Sequence, residues 1–358
     1  MGTDSKIQWT HHTFNPWIGC AKVSEGCKNC YAEALARARP ALVHGAGPHP
    51  VPEGHKLVVW GDSAPRRVTS TANWKQPLRW NRAAEKAGER RRVFCASLAD
   101  VFEDNRPLSG DTRCWEDLDD AREALWPLIE QCTGLDWLLL TKRPENVLQM
   151  VPHTWLFLAS QQTQAALMRG ETPIEHGRWP RHVWIGFTGE NQQRFDERWA
   201  HARKIPAPVI FASIEPQIGP VVLPADFLAR GQRSWAITGG ESGGHARPLE
   251  VGWMRSIVKQ CHAARVPVFC KQVGANVRDR NDAGFEAENE VWADGPDAGR
   301  PTEPRAWPTP QDIEHSPDGV LEEYQGAPVR VRLRDRKGGD MHEWPEDLRV
   351  REWPEARP

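Results

Sequence analysis

The chain reads as an α/β protein, and more narrowly as a parallel (β/α) barrel, complete or partial. Three observations lead there. Seven apolar runs of strand length recur along the 358 residues, most are followed by a helical stretch, and each ends in polar or glycine-rich residues. Repeated βα order implies a parallel sheet, and this many units favour a closed or partly closed barrel over a doubly wound open sheet. Polar residues just past the strand C-termini would then converge on one mouth.

The elements follow in order. Thr13-Phe-Asn-Pro-Trp-Ile-Gly19 is the first strand and feeds a cysteine-bearing loop at 20–30, then a helix from Asn29 to about Arg39 that Pro40 stops. Residues from about 40 to 80 are rich in Gly, Pro and His, with two β-like pieces at Lys56 to Trp60 and Arg67 to Thr71, and read as an insertion after the first βα unit. Arg92 to Ser97 is the second strand, with Asp100 just beyond it and a helix around Trp115 to Gln131. Leu135 to Leu140 is the third and stops at Thr141-Lys-Arg-Pro-Glu145. His182 to Phe187 ends before Glu190 and Asn191, and Val209 to Ser213 ends before Glu215. Ser234 to Thr238 runs into Gly239-Gly-Glu-Ser-Gly-Gly-His-Ala-Arg-Pro248, then a helix from about Gly252 to Ala264. Val266 to Cys270, the seventh, ends in Lys271.

This places the barrel at 1–274 and an irregular C-terminal extension at 275–358. From Gly274 to about Gly326 the periodicity disappears and the stretch reads as a lid-like segment. The end, with alternating Arg330, Arg332, Arg334 and Arg336 and two Trp-Pro pairs, is expected to dock back on the barrel.

A net charge of −2 removes any global electrostatic argument for nucleic acid or an anionic membrane. No stretch approaches the roughly twenty apolar residues of a membrane span, and the start has no apolar run of signal length, so no membrane is expected. Eight cysteines without repeating spacing outside the loop argue for a reducing compartment, with the cytoplasm as the expected location. Cys95 and Cys270 lie inside apolar runs and read as core residues, and Arg90-Arg-Arg92 as a solvated face.

Chemistry concentrates at Cys20, Cys27 and Cys30, spaced C-x6-C-x2-C. Three thiolates on one loop suit a metal or cluster better than a disulfide, because the odd one has no partner within the motif. They would bind three irons of a [4Fe–4S] cube and leave the fourth open, or bind zinc with His11, His12 or water as fourth ligand. Asp100, Lys142, Glu190, Glu215, Glu241 and Lys271 share with Cys20 a place just past a strand end.

A three-cysteine loop after the first strand of a βα barrel resembles the radical S-adenosylmethionine superfamily, whose usual spacing is C-x3-C-x2-C. The stretches Trp9 to Glu33, Val93 to Pro107, Leu139 to Pro144, Val183 to Asn191, Ser213 to Gly219, Thr238 to Pro248, Phe269 to Gly274 and Lys337 to Trp353 together resemble a phage-protein family of unknown function. Its members carry this extended motif, are radical-SAM-like, and are sometimes paired with a three-Cys-motif partner protein. The resemblance implies a radical-SAM-type enzyme from a phage or mobile element, using a [4Fe–4S] cluster and S-adenosylmethionine on a substrate left open, with nucleic acid or a nucleotide among the candidates. A zinc-binding protein, or a non-catalytic iron–sulfur module acting through a partner, is the alternative. Under the radical reading Asp100 stands where the superfamily holds the methionine amino group. Lys142 and Arg143 are candidates for the cofactor carboxylate, Glu190, Asn191 and Glu215 for its ribose or amino group, and Gly239, Gly240 and Glu241 for close backbone approach or anion binding. His245, Arg247 and Lys271 are left for substrate.

Overall fold

The computed structural model describes residues 5–39, 59–110, 114–156, 179–279, 292–293, 329–331 and 333–355. Seven strands form one sheet: β1 (His12–Phe14), β2 (Arg91–Cys95), β3 (Leu135–Thr141), β4 (Val183–Thr188), β5 (Ile210–Ile214), β6 (Ser234–Gly239) and β7 (Val268–Gln272). Their order in the sheet is their order in sequence. The protein is therefore mixed α/β with a large parallel sheet, compatible with a partial (β/α) barrel. By internal contacts the chain divides into a first unit (Met1–Thr188 with Glu197–Phe211) and a second (Gly189–Asp196 with Ala212–Pro358).

In the first unit β1 pairs with β2 from His12↔Val93 to Phe14↔Cys95, β2 with β3 from Arg91↔Leu135, and β3 with β4 from Trp137↔Val183, all parallel. The first predicted strand is split. His12–Phe14 joins the main sheet, whereas Trp17–Ile18 pairs antiparallel with Arg66–Val68, which itself pairs parallel with Leu108–Ser109. The break falls at Asn15-Pro16, where Pro16 has no N–H for a ladder. Asn15 Oδ1 instead accepts from Leu98 N at 2.7 Å, and its carbonyl accepts from Thr69 Oγ1 and Asn73 Nδ2. Of the β-like pieces expected in the insertion, the second is this Arg66–Val68 strand; residues 56–58 lie outside the described residues, as does the 280–291 and 294–328 part of the expected lid.

The longer helices that begin in the first unit's described residues are α1 (Tyr31–Ala38), α2 (Gln76–Ala87) and α3 (Leu118–Gln131). Helix α2 begins inside the expected insertion and runs mostly beyond it. Pro77 opens it, and Trp80 and Ala84, buried a turn apart, give it a core-facing stripe. Asp117 caps α3 by accepting from the amides of Asp119 and Asp120. The abundance of tryptophan has its explanation in the core: eleven of the eighteen indoles are buried. Trp126, Trp155 and Trp179 form a chain of edge contacts at 5.4 and 5.5 Å, and Phe14 meets Trp137 edge-on at 5.9 Å.

In the second unit β6 and β7 pair in parallel through Val268↔Ala236, Phe269↔Ile237 and Cys270↔Thr238. Helix α5 (Val251–Ala263) follows the loop after β6, and α4 (Gln192–Ala202) begins at the unit boundary after β4. A four-stranded sheet joins Leu249–Glu250, Val277–Asp279, Val329–Val331 and Trp292–Ala293. Beyond it the C-terminal segment lies against β7: Cys270 N donates to Val350 O and Glu352 N to Val268 O, both at 2.9 Å, and Trp344 is fully buried. No helix among the described residues is long and apolar enough to cross a membrane.

Candidate functional site

The cysteine loop leaves the small sheet at Gly19 and is stitched down before the first thiol. Gly19 N donates to Leu98 O, Gly19 and Ala99 form a parallel bridge, and Cys20 bridges Trp60. Gly19 has φ +118°, and a Cβ there would meet Val59 O at 2.2 Å. Only glycine fits this crossing. The chain then makes a 3-10 turn at Glu25–Cys27 and enters α1 with Cys30 as the residue before its first turn. Under the loop, Ile18, Ala32, Ala36, Val59 and Leu98 form a small apolar core against which Cys30, Leu35 and Trp60 pack. Tyr31 Oη donates to Ser97 O at 2.7 Å, tying the helix start to the end of β2.

The first thiol meets a buried charge network. Arg143 Nη1 lies 3.8 Å from Cys20 Sγ and 3.2 Å from Asp100 Oδ2, and its Nη2 donates to Ala21 O at 3.1 Å. Asp100 is held by Thr141 Oγ1 at 2.7 Å and the amides of Phe102 and Lys142 at 3.0 Å. Glu103 accepts from Ala21 N at 2.8 Å, pairs with Arg66 through both oxygens at 2.5 and 2.8 Å, and lies 3.7 Å from Arg143. Arg66 also donates to the carbonyls of Val59, Gly61 and Ala64, so a single guanidinium fastens the segment that bridges Cys20. On the far side of the loop Arg198 Nη2 reaches Ser24 Oγ at 3.0 Å, with its other nitrogens on Thr188 O and Lys142 O.

Burial pushes the Cys20 thiol up to about 12, and Asp100 and Glu103 act in the same direction against Arg143. Burial opposes the Arg143 charge, yet Asp100, Cys20 and Glu103 outweigh it and hold the guanidinium above its ordinary range.

Cys20, Cys27 and Cys30 are free thiols with partial exposure, unlike the buried Cys95, Cys132, Cys261 and Cys270. As a donor set they fit a cluster or a thiophilic metal: three soft sulfurs on one loop, none consumed by a disulfide. Among the described residues no group of three or more His, Cys, Asp or Glu side chains is gathered as a metal site. The two histidines considered as a fourth ligand are engaged elsewhere. His11 Nδ1 accepts from Arg92 N at 2.8 Å, and His12 is buried and stacked on Trp80 with centroids 4.5 Å apart.

The remaining sequence candidates lie in the second unit, apart from the half-buried Lys142, whose N–H is on Asp100. Glu190 is fully buried, and Asn191 Oδ1 accepts from Arg194 N as an N-cap of α4. Glu215 Oε1 and Lys271 Nζ form a 2.5 Å pair at the ends of β5 and β7, so a residue expected at the cofactor and one expected at the substrate meet each other. Glu241 and Arg247 do likewise, in a two-pronged pair at 2.8 and 3.1 Å that closes the loop after β6. His245 stands exposed on that loop. The space above Gly240 is taken by its own chain, since a Cβ would meet Val273 O at 2.3 Å. Arg66, Glu103 and Arg198 were not among the sequence candidates. Glu103 stands three residues past Asp100, a spacing that offered a hint; Arg66 and Arg198 offered none.

Fold and loop define a class: a mixed α/β protein with a parallel sheet and a three-cysteine loop beyond the first strand. Over residues 4–307 the chain matches the family described as "Protein of unknown function (DUF5131)", and it belongs to that family. The match stops short of the Lys337 to Trp353 stretch. No curated protein and no solved structure matches the chain.

Proposed function

We propose that the protein is an iron–sulfur enzyme of the radical S-adenosylmethionine type, with a radical-SAM-like barrel, that modifies a nucleic acid, nucleotide or peptide. One observation carries the reading: the three free, partly exposed cysteines of a C-x6-C-x2-C loop sit just beyond the first strand of a sequential parallel sheet. The resemblance to radical-SAM-like phage proteins supports it and suggests a phage or mobile-element origin and a three-Cys-motif partner. Cys20, Cys27 and Cys30 would hold a [4Fe–4S] cluster with one iron open to the cofactor. Bound there and reduced, such a cluster would supply the one-electron chemistry that cleaves a C–S bond of S-adenosylmethionine.

The chain's own part is to fix the loop. Arg66 and Glu103 fasten its entry, Arg198 holds Ser24, and the apolar core under α1 packs against Cys30. Lys142 is the cation assigned to the cofactor carboxylate. In the second unit Lys271 and Glu215 keep part of their surface open and are assigned to polar groups of a ligand.

The test is anaerobic purification and reconstitution with ferrous iron and sulfide, followed by metal and sulfide analysis and incubation with S-adenosylmethionine and a strong reductant. About four irons and four sulfides per chain are expected for one such cluster, with 5′-deoxyadenosine formed at a rate that Cys27→Ala abolishes. Stoichiometric zinc without acid-labile sulfide sinks the cluster and leaves the zinc protein. A cluster without 5′-deoxyadenosine above that control leaves a non-catalytic iron–sulfur module that works through a partner.

A further inference from the structure

Resting on the cluster reading just given, we infer that Arg143 is a positioning residue for the metal centre: its guanidinium donates to the Cys20 sulfur and, balanced by Asp100 and Glu103, sets the reduction potential there.

The geometry is specific. Arg143 Nη1 faces Cys20 Sγ at 3.8 Å, within reach of an N–H to sulfur bond, while Nη2 holds the next carbonyl, Ala21 O, at 3.1 Å. A guanidinium can do both at once because its donors form a rigid fork, which a lysine ammonium lacks. The fork is aimed from behind. Arg143 N donates to Thr141 Oγ1 at 2.8 Å, Thr141 Oγ1 donates to Asp100 at 2.7 Å, and Asp100 takes the guanidinium at 3.2 Å. Arg143 and Asp100 are both buried, so solvent screens this contact little.

The charges acting on the sulfur are one cation, Arg143, and two anions, Asp100 and Glu103, with Arg66 paired to Glu103. The member directly on Cys20 Sγ is the cation. A centre that gains an electron becomes more negative, so a cation and an N–H on a ligand sulfur favour the reduced state, whereas nearby carboxylates disfavour it. Removing Arg143 and neutralising Asp100 must therefore move the potential in opposite directions. A purely structural role for either residue has no reason to produce opposite signs.

The experiment uses the full chain reconstituted with ferrous iron and sulfide, titrated potentiometrically and followed by electron paramagnetic resonance. Arg143→Gln is expected to weaken reduction about tenfold, a fall of 59 mV for a one-electron couple, and Asp100→Asn to strengthen it. Arg143→Lys restores part of the loss, since it returns the charge without the fork. Iron content and circular dichroism matched to the parent protein accompany each variant, and if Arg143→Gln does not fold, the signs for Asp100→Asn and Arg143→Lys decide. A parent protein that assembles the cluster, with variants at its potential or all displaced the same way, overturns the role of Arg143 and leaves the cluster standing. A parent protein that assembles no cluster overturns both.

Discussion

In the first unit Arg66 and Glu103 meet with both side chains fully buried, whereas in the second Lys271 and Glu215 meet with 18% and 15% of theirs exposed. The sequence marks both members of the second pair, at the ends of β5 and β7, as ligand-binding candidates, and neither member of the first. The pairs differ in what surrounds them. Glu103 also holds the amide of Ala21, and Arg66 three backbone carbonyls, so the buried pair is part of the chain's path into the cysteine loop. The Lys271 and Glu215 pair reaches across the end of β6 from β7 to β5 and keeps part of its surface open. Burial, more than charge, separates the group that shapes a site from the group that can serve it.

The largest expected effect tests the buried side. Glu103→Ala strands Arg66 in the interior and should destabilise the first unit by about 3–5 kcal/mol, read as a lower denaturant midpoint. A loss below about 1 kcal/mol would mean that water reaches Arg66 and that the contrast with the second unit is false.

Next, the second unit fixes its strand ends by backbone contact. Gly240→Ala drives a Cβ into Val273 O and should cost about 1–3 kcal/mol. An unchanged thermal midpoint would show that the loop after β6 has room to move and restore it as a candidate for close ligand approach.

A smaller effect is expected at Asp117, a half-buried carboxylate that caps α3 and accepts from Asn105 Nδ2 at 2.8 Å. Its carboxyl is held below the ordinary range, first by that bond and, against the opposing effect of burial, by the helix amides and Arg122. Asp117→Ala should cost about 1 kcal/mol at neutral pH. A lowered folded-state value means the contribution is present above the unfolded carboxyl's range and is lost as pH falls through the folded one. The gap between variant and parent should accordingly narrow below about pH 4; a constant gap in urea titrations at both pH values would rule out the charged cap.

Smallest in stability is Lys271→Gln, expected to change the midpoint by less than about 1 kcal/mol. Its effect should appear instead in turnover or ligand binding once a substrate is found, and a larger stability loss would move this pair into the structural group with Arg66 and Glu103.

Much of the sheet was legible because a strand in a parallel sheet is buried on both faces and shows as an apolar run, as Leu135 to Leu140 and Val209 to Ser213 do. The split at Asn15-Pro16 was marked by the proline, but what receives Asn15 comes from 82 residues away and leaves no local trace. Helix α2 had signals that the glycine- and proline-rich stretch before it obscured: Pro77 in the first turn, Trp80 and Ala84 at helical spacing, and Gly88 after the last turn. The cysteines were legible because their chemistry lies in their spacing. Arg66 was not, since an arginine in a short Arg-Arg-Val strand looks solvated until Glu103, 37 residues on, is seen against it. Asp100 and Arg143 were identified as strand-end residues, yet their mutual contact and the turn toward Cys20 follow from the pairing of β2 with β3, which no local pattern encodes.

Gly19 bears on whether the cysteine motif is portable. The glycine lets the backbone pass against Val59 O, and the segment it passes is the one Arg66 clamps. A graft of residues 20–30 alone into another α/β scaffold would move the ligands without the crossing that aims the first of them. The smallest transferable piece is discontinuous: Gly19 through α1, the strip from Val59 to Val68, and the turn that carries Asp100 and Glu103.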